Sequence, residues 1–208
     1  MNEPEARAER RRQVGRIEVV CGPMFAGKTE ELLRRVRRAV IAGRRVVVIG
    51  HALDTRHGED RVASHIGVDF PALAASRPED IDAVVPDDTD VVAIDEAQFF
   101  GTGLLPVVAG LADRGIVVIV AGLDVTFDGD PFEPLPSLMA LAERVDKLTA
   151  ICLVCGEDAV FHIKVAGQPA GADDLTAAVL DLAARYHHDD GRPHRLVVAA
   201  HPLPEESA

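Results

Sequence analysis

Four short runs of the chain are apolar at nearly every position: residues 17–21 (IEVVC), 46–50 (VVVIG), 91–95 (VVAID) and 116–123 (IVVIVAGL). Runs of this length and β-branched content, bounded by glycine, proline or acidic residues, predict strands buried on both faces. Between them the period changes. Leu32, Leu33, Val36, Ala39 and Val40 recur at helical spacing with arginines between them, and Gly43 follows as a left-handed stop, which predicts a helix. Residues 104–111 predict a second helix between the third and fourth strands. Ser137 to Lys147 predict a third, capped by Ser137, with Leu138, Leu141, Ala142 and Val145 facing inward. Strands separated by helices in this order imply an α/β fold with a parallel sheet and helices on both faces.

Beyond Thr149 the regularity is lost. Cys152 to Cys155 opens a short segment, residues 159–165 predict a strand, and residues 167–174 (GQPAGADD) predict a loop. The expected organisation is a disordered N-terminal tail over 1–16, an α/β domain over 17–148, a small subdomain over 149–195 and a frayed tail over 196–208. No internal repeat is visible.

Composition narrows the function classes. The chain has 208 residues, 34 acidic against 22 basic, and a formal charge of −12. Such a balance disfavours binding to polymeric nucleic acid or to an anionic membrane, both of which need a basic face. Arg7, Arg10, Arg11 and Arg12 read as a solvated tail, and the arginines from Arg34 to Arg38 as the wet face of a helix. No apolar stretch reaches the length of a membrane span, and three cysteines (Cys21, Cys152, Cys155) suit a reduced compartment, so a cytoplasmic location is expected.

Gly22-Pro23-Met24-Phe25-Ala26-Gly27-Lys28-Thr29 satisfies G-x-x-x-x-G-K-[ST] and lies between a predicted strand and a predicted helix. The glycines let backbone N–H groups turn toward a polyphosphate, the helix start adds positive potential, Lys28 neutralises phosphate oxygens and Thr29 can hold magnesium. Asp95 and Glu96 end the third apolar run, where a parallel sheet presents ligand-binding groups. Asp95 suits magnesium, and Glu96 suits a proton acceptor. These residues alone leave two reactions open. The glutamate could orient water in an ATPase or deprotonate a hydroxyl in a kinase.

With these residues in place the sequence resembles the type II thymidine kinase family. The matching segments are GPMFAGKTEELLRRVRR (22–38), LDTR (53–56), SHIG (64–67), VVAIDEAQFF (91–100), VIVAGLDVTFDGDPF (118–132) and LMALAERVDKLTAICLVCG (138–156). The resemblance implies a P-loop, RecA-like sheet with a zinc-ribbon-like lasso appendage. It implies transfer of the γ-phosphate of ATP to the 5′-hydroxyl of thymidine, with deoxyuridine as a possible second acceptor, and a homotetramer. By the same resemblance Glu96 is the general base, with Arg56 beside the transferring group. Asp54, Asp95 and Gln98 join the phosphate loop at the nucleotide and magnesium. Met24, Phe99, Leu123, Phe127, Phe132, His162 and Tyr186 contact the nucleoside. Phe100, by alternation, is structural.

The resemblance weakens toward the C-terminus. The family carries zinc on two ligand pairs. Cys152 and Cys155 match the first, whereas the second has no cysteine, leaving His187, His188, Asp190 or His194 to complete a site. The lasso's paired glycines are replaced by Asp181 and Leu182, with Tyr186 as the remnant of its tyrosine. Two alternatives therefore stand beside the kinase: a nucleotide-binding regulatory protein of kinase descent, and a P-loop ATPase.

Overall fold

A computed structural model describes residues 14–51, 61–63, 69–152, 156–164 and 196–199. The chain divides into two units, the first comprising residues 1–21, 28–124 and 132–147 and the second residues 22–27, 125–131 and 148–208.

In the first unit the four apolar runs form β1 (Arg16–Cys21), β2 (Val46–His51), β6 (Val91–Ile94) and β7 (Val117–Gly122). With β5 (Leu73–Ala75) and β8 (Arg144–Lys147) they build one six-stranded sheet in the order β5-β2-β6-β7-β1-β8. Every pairing in it is parallel. A short antiparallel pair, β3 (Arg61–Ala63) and β4 (Asp69–Pro71), lies between β2 and β5 in sequence.

Alternation along β1 explains why both faces are covered. Ile17, Val19 and Cys21 point into a core completed by Ile81 of α2 (Pro78–Val84), Leu104, Val108 and Leu111 of α3 (Leu104–Asp113), and Leu135 and Leu138 of α4 (Leu135–Leu141). Glu18 points the other way, toward α1 (Lys28–Ile41), where its carboxylate accepts from Arg35 Nη1 at 2.8 Å. Leu32, Leu33 and Val36 of α1 are also fully buried, each contributing about 1.5–3 kcal/mol.

Two expectations need correction here. Arg35 was expected on a wet helix face, yet it is only 7% exposed. Its guanidinium donates to Glu18, to Glu31 and to Asp146. Three carboxylates around one planar fork satisfy the charge that burial would otherwise penalise. The helix expected over 137–147 is instead α4, which ends at Leu141, followed by strand β8. Pro134 rather than Ser137 precedes the first turn, and no side chain caps it. Polar bonds redirect the chain. Glu143 N–H donates to the Ile17 carbonyl at 3.0 Å, and Ile17 N–H donates to the Glu143 carboxylate at 2.7 Å. Asp146 is then tied to Arg35, which draws β8 against β1.

The second unit contains an antiparallel pair, β9 (Ala150–Ile151) with β10 (Asp158–Ala159), and a parallel pair, β11 (Phe161–Lys164) with β12 (Leu196–Ala199). Residues 196–199 thus belong to a strand, not to a frayed tail, because their backbone finds a ladder partner in the strand expected near 159–165. Among the described residues, no helix is long and apolar enough to cross a membrane.

Candidate active site

The phosphate loop leaves β1 at Gly22 and enters α1 at Lys28. Its backbone needs glycine at two places. Gly22 has φ +147° and lies so close to the chain that an added Cβ would stand 2.5 Å from the Leu148 carbonyl oxygen. Gly27 has φ 80°, in the left-handed region. Phe25, at φ 61°, takes the same region without that freedom, and its ring is exposed. Pro23 is buried and Met24 half-buried. Ala26 packs on Ala150, Cys152 and Ala159 within the second unit.

Lys28 and Thr29 begin a helix of 14 residues, whose free N–H groups and aligned peptide dipoles favour an anion. Lys28 is buried. Thr29 Oγ1 donates to Asp95 Oδ2 at 2.9 Å, so the helix start and the end of β6 are joined through two hard oxygen donors. Asp95 is fully enclosed, and its carboxyl is held well above the usual carboxylate range, first by desolvation and then by the neighbouring Glu96 charge. A hydroxyl beside a carboxylate that resists ionisation alone is a donor set that fits magnesium.

Glu96 adopts φ 51° and ψ 43°, a left-handed conformation for a residue that carries a Cβ. Strained backbone of this kind persists where surrounding structure enforces it. Its N–H donates to Asp95 Oδ1 at 3.0 Å. A short 3₁₀ turn, Ala97–Phe100, follows. Gln98 is buried there. Its Nε2 donates to Glu96 Oε2, and its Oε1 accepts from Leu123 N–H at 3.0 Å.

The aromatic residues expected at the nucleoside fall into separate groups. In the first unit Phe99 is partly exposed and lies 5.6 Å from the His51 ring, while Phe100 is in the core, 4.6 Å from the same ring. Leu123 is buried, and Phe132 N–H donates to the Asp124 carbonyl at 3.0 Å. In the second unit Phe127 meets His162 edge to face at 4.8 Å, and His162 is 1% exposed. The turn bearing Phe127 is closed by a Val125–Pro131 bridge and by Thr126 N–H donating to the Asp130 carbonyl at 2.8 Å.

Sequence inspection passed over His51 and over Asp124. The Asp124 carboxylate pairs with Lys147 at 2.6 Å, and its Oδ1 is buried with no hydrogen bond among the described residues. Local patterning holds no signal for such a pair, since β7 and β8 are not neighbours in the sheet. Cys21 lies between them as the last residue of β1. Its thiol is pushed up to about 11, chiefly by burial and then by the Asp124 charge, so it stays protonated and is no competing nucleophile.

Asp54, Arg56, Cys155, Asp181, Leu182, Tyr186, His187, His188, Asp190 and His194 lie outside the described residues. Cys152 is a buried free thiol, and its carbonyl accepts from Gly156 N–H at 2.9 Å. Among the described residues, no group of three or more His, Cys, Asp or Glu is placed to hold a metal ion.

A family model described as thymidine kinase matches residues 15–179. A protein of Deinococcus radiodurans named thymidine kinase is 45% identical over 192 residues, spanning 87% of this chain and 90% of its own. A protein of Deinococcus deserti with the same name is 45% identical over 190 residues, spanning 84% of this chain and 94% of its own.

Proposed function

The chain belongs to the thymidine kinase family and is an enzyme that phosphorylates thymidine, and from that premise we propose how its residues divide the work. The γ-phosphoryl group of ATP passes in line to the 5′-hydroxyl of the nucleoside, with deoxyuridine as the alternative acceptor. Backbone N–H groups of residues 22–27, the Lys28 ammonium and the start of α1 hold the polyphosphate. Thr29 and Asp95 would hold magnesium, which would supply positive charge to offset that of the polyphosphate. Glu96 accepts the proton of the attacking hydroxyl, and Arg56 stabilises charge on the transferring group, with Asp54 beside it. Met24, Phe99, Leu123, Phe127, Phe132, His162 and Tyr186 keep the nucleoside-contacting role that the resemblance implies.

The single observation that supports transfer to a nucleoside over hydrolysis is the family match; the Thr29–Asp95–Glu96 contacts at one strand end serve phosphate chemistry in either reaction. The test is ADP release with magnesium present, with and without thymidine. Turnover should require the nucleoside. ADP formed at the same rate without it would point to an ATPase, and none with any pyrimidine nucleoside would point to a regulatory protein.

A cytoplasmic homotetramer with one structural zinc per chain, held in part by Cys152 and Cys155, completes the proposal. Native mass spectrometry reads both features at once. The expected species has four times the chain mass plus four zinc ions, and a metal-free monomer would remove both.

A further inference from the structure

Strand pairing leaves a loose end beside the proposed base. The parallel ladder between β6 and β7 is last in register at Ile94 and Val120, so the backbone N–H of Leu123, three residues on, has no strand partner there. That donor is buried, and it finds Gln98 Oε1 at 3.0 Å. A backbone N–H can only donate, so the amide oxygen must face Leu123, and the amide NH₂ must therefore face the other way. There it donates to Glu96 Oε2. The orientation of the Gln98 amide is thus fixed by a main-chain group, and the Glu96 carboxylate is held by what remains.

Gly122 belongs to the same arrangement. A Cβ at that position would stand 2.7 Å from Gln98 Oε1, 2.9 Å from Leu135 Cδ2 and 3.2 Å from Ala97 N. Glycine at the end of β7 leaves the space that the Gln98 amide oxygen occupies. Two polar contacts and one missing methyl group therefore lock a buried side chain whose free arm reaches the proton acceptor.

We infer that Gln98 is a positioning residue for phosphoryl transfer, holding the Glu96 carboxylate in the direction needed to accept the hydroxyl proton. The inference rests on Glu96 being the base, as proposed above, and gives Gln98 this role in place of the nucleotide contact that the resemblance implies. Misplacing a reacting group by about 1 Å can cost roughly 100-fold in rate with little effect on binding, so the signature is a loss in kcat rather than in KM.

Gln98→Glu separates the two arms. Its carboxylate still accepts from Leu123 N–H, but it meets Glu96 as a second carboxyl group that donates only by holding a proton between them, so the fixed amide donor is lost. The expected result is a kcat lower by about 30- to 100-fold, with KM for ATP and for thymidine within about threefold of wild type. Gln98→Met, which carries no charge and no donor, should show the same split if the acidic variant does not fold; circular dichroism and melting report folding in both. A folded variant with wild-type kcat overturns the inference while the kinase function stands. So does a rise in KM for ATP at unchanged kcat, which would make Gln98 a nucleotide ligand. A wild-type enzyme whose ADP release ignores thymidine overturns the proposed function, and the positioning role with it, since no hydroxyl is then deprotonated.

Discussion

Glu96→Gln should lower kcat by about 10³-fold while ATP affinity stays within a few-fold of wild type. The substitution preserves the shape of the side chain and its capacity to accept from Gln98 Nε2. It also leaves the backbone cost of the left-handed conformation unchanged, because both residues carry the same Cβ. What disappears is proton acceptance. Steady-state kinetics alongside equilibrium titration with ATP separate the effects. Loss of ATP binding together with a collapsed circular dichroism spectrum would make Glu96 a structural residue instead.

Lys28→Met carries the second large effect, read in kcat/KM for ATP. Methionine retains much of the aliphatic stem at this buried first position of α1 and removes the ammonium. An electrostatic contact to phosphate that strengthens as charge moves in the transition state is typically worth 10²–10³-fold, so kcat/KM for ATP should fall by about that factor. Thermal melting checks that α1 still forms. Unchanged kcat/KM would mean that the polyphosphate lies elsewhere.

The parts of the molecule legible in the sequence are those held by apolar burial or by a contiguous motif. β1, β2, β6 and β7 announce themselves because both of their faces are largely covered, so apart from Glu18 in β1 their central positions are almost continuously apolar. Gly22 to Thr29 is legible because one short segment carries glycine, lysine and hydroxyl at fixed spacing. β8 is not, since its residues are mostly exposed and it is fastened through Asp146 to Arg35, and just ahead of it through Glu143 to Ile17. Helical spacing of Leu138, Leu141 and Val145 then suggests a helix that the polar contacts override. Val145 is in fact 37% exposed.

The same distinction runs through the candidate site. Asp95 and Glu96 could be found by their place at the end of an apolar run. The contact of Gln98 with Leu123 joins residues 25 apart, and the Asp124–Lys147 pair joins the segment just after β7 to β8, on the far side of β1 in the sheet. Each depends on which strands become neighbours, and periodicity along one chain does not encode that. Phe127 and His162 are similar: their edge-to-face contact is made by two segments with no shared pattern.

The left-handed backbone at residue 96 sets robustness against activity at a single position. Glycine would occupy those angles with less strain, by about 1 kcal/mol, yet it would bring no carboxylate. Directed evolution of this chain for heat resistance alone should drift toward glycine there and return inert protein, so thermostabilising libraries ought to hold codon 96 constant.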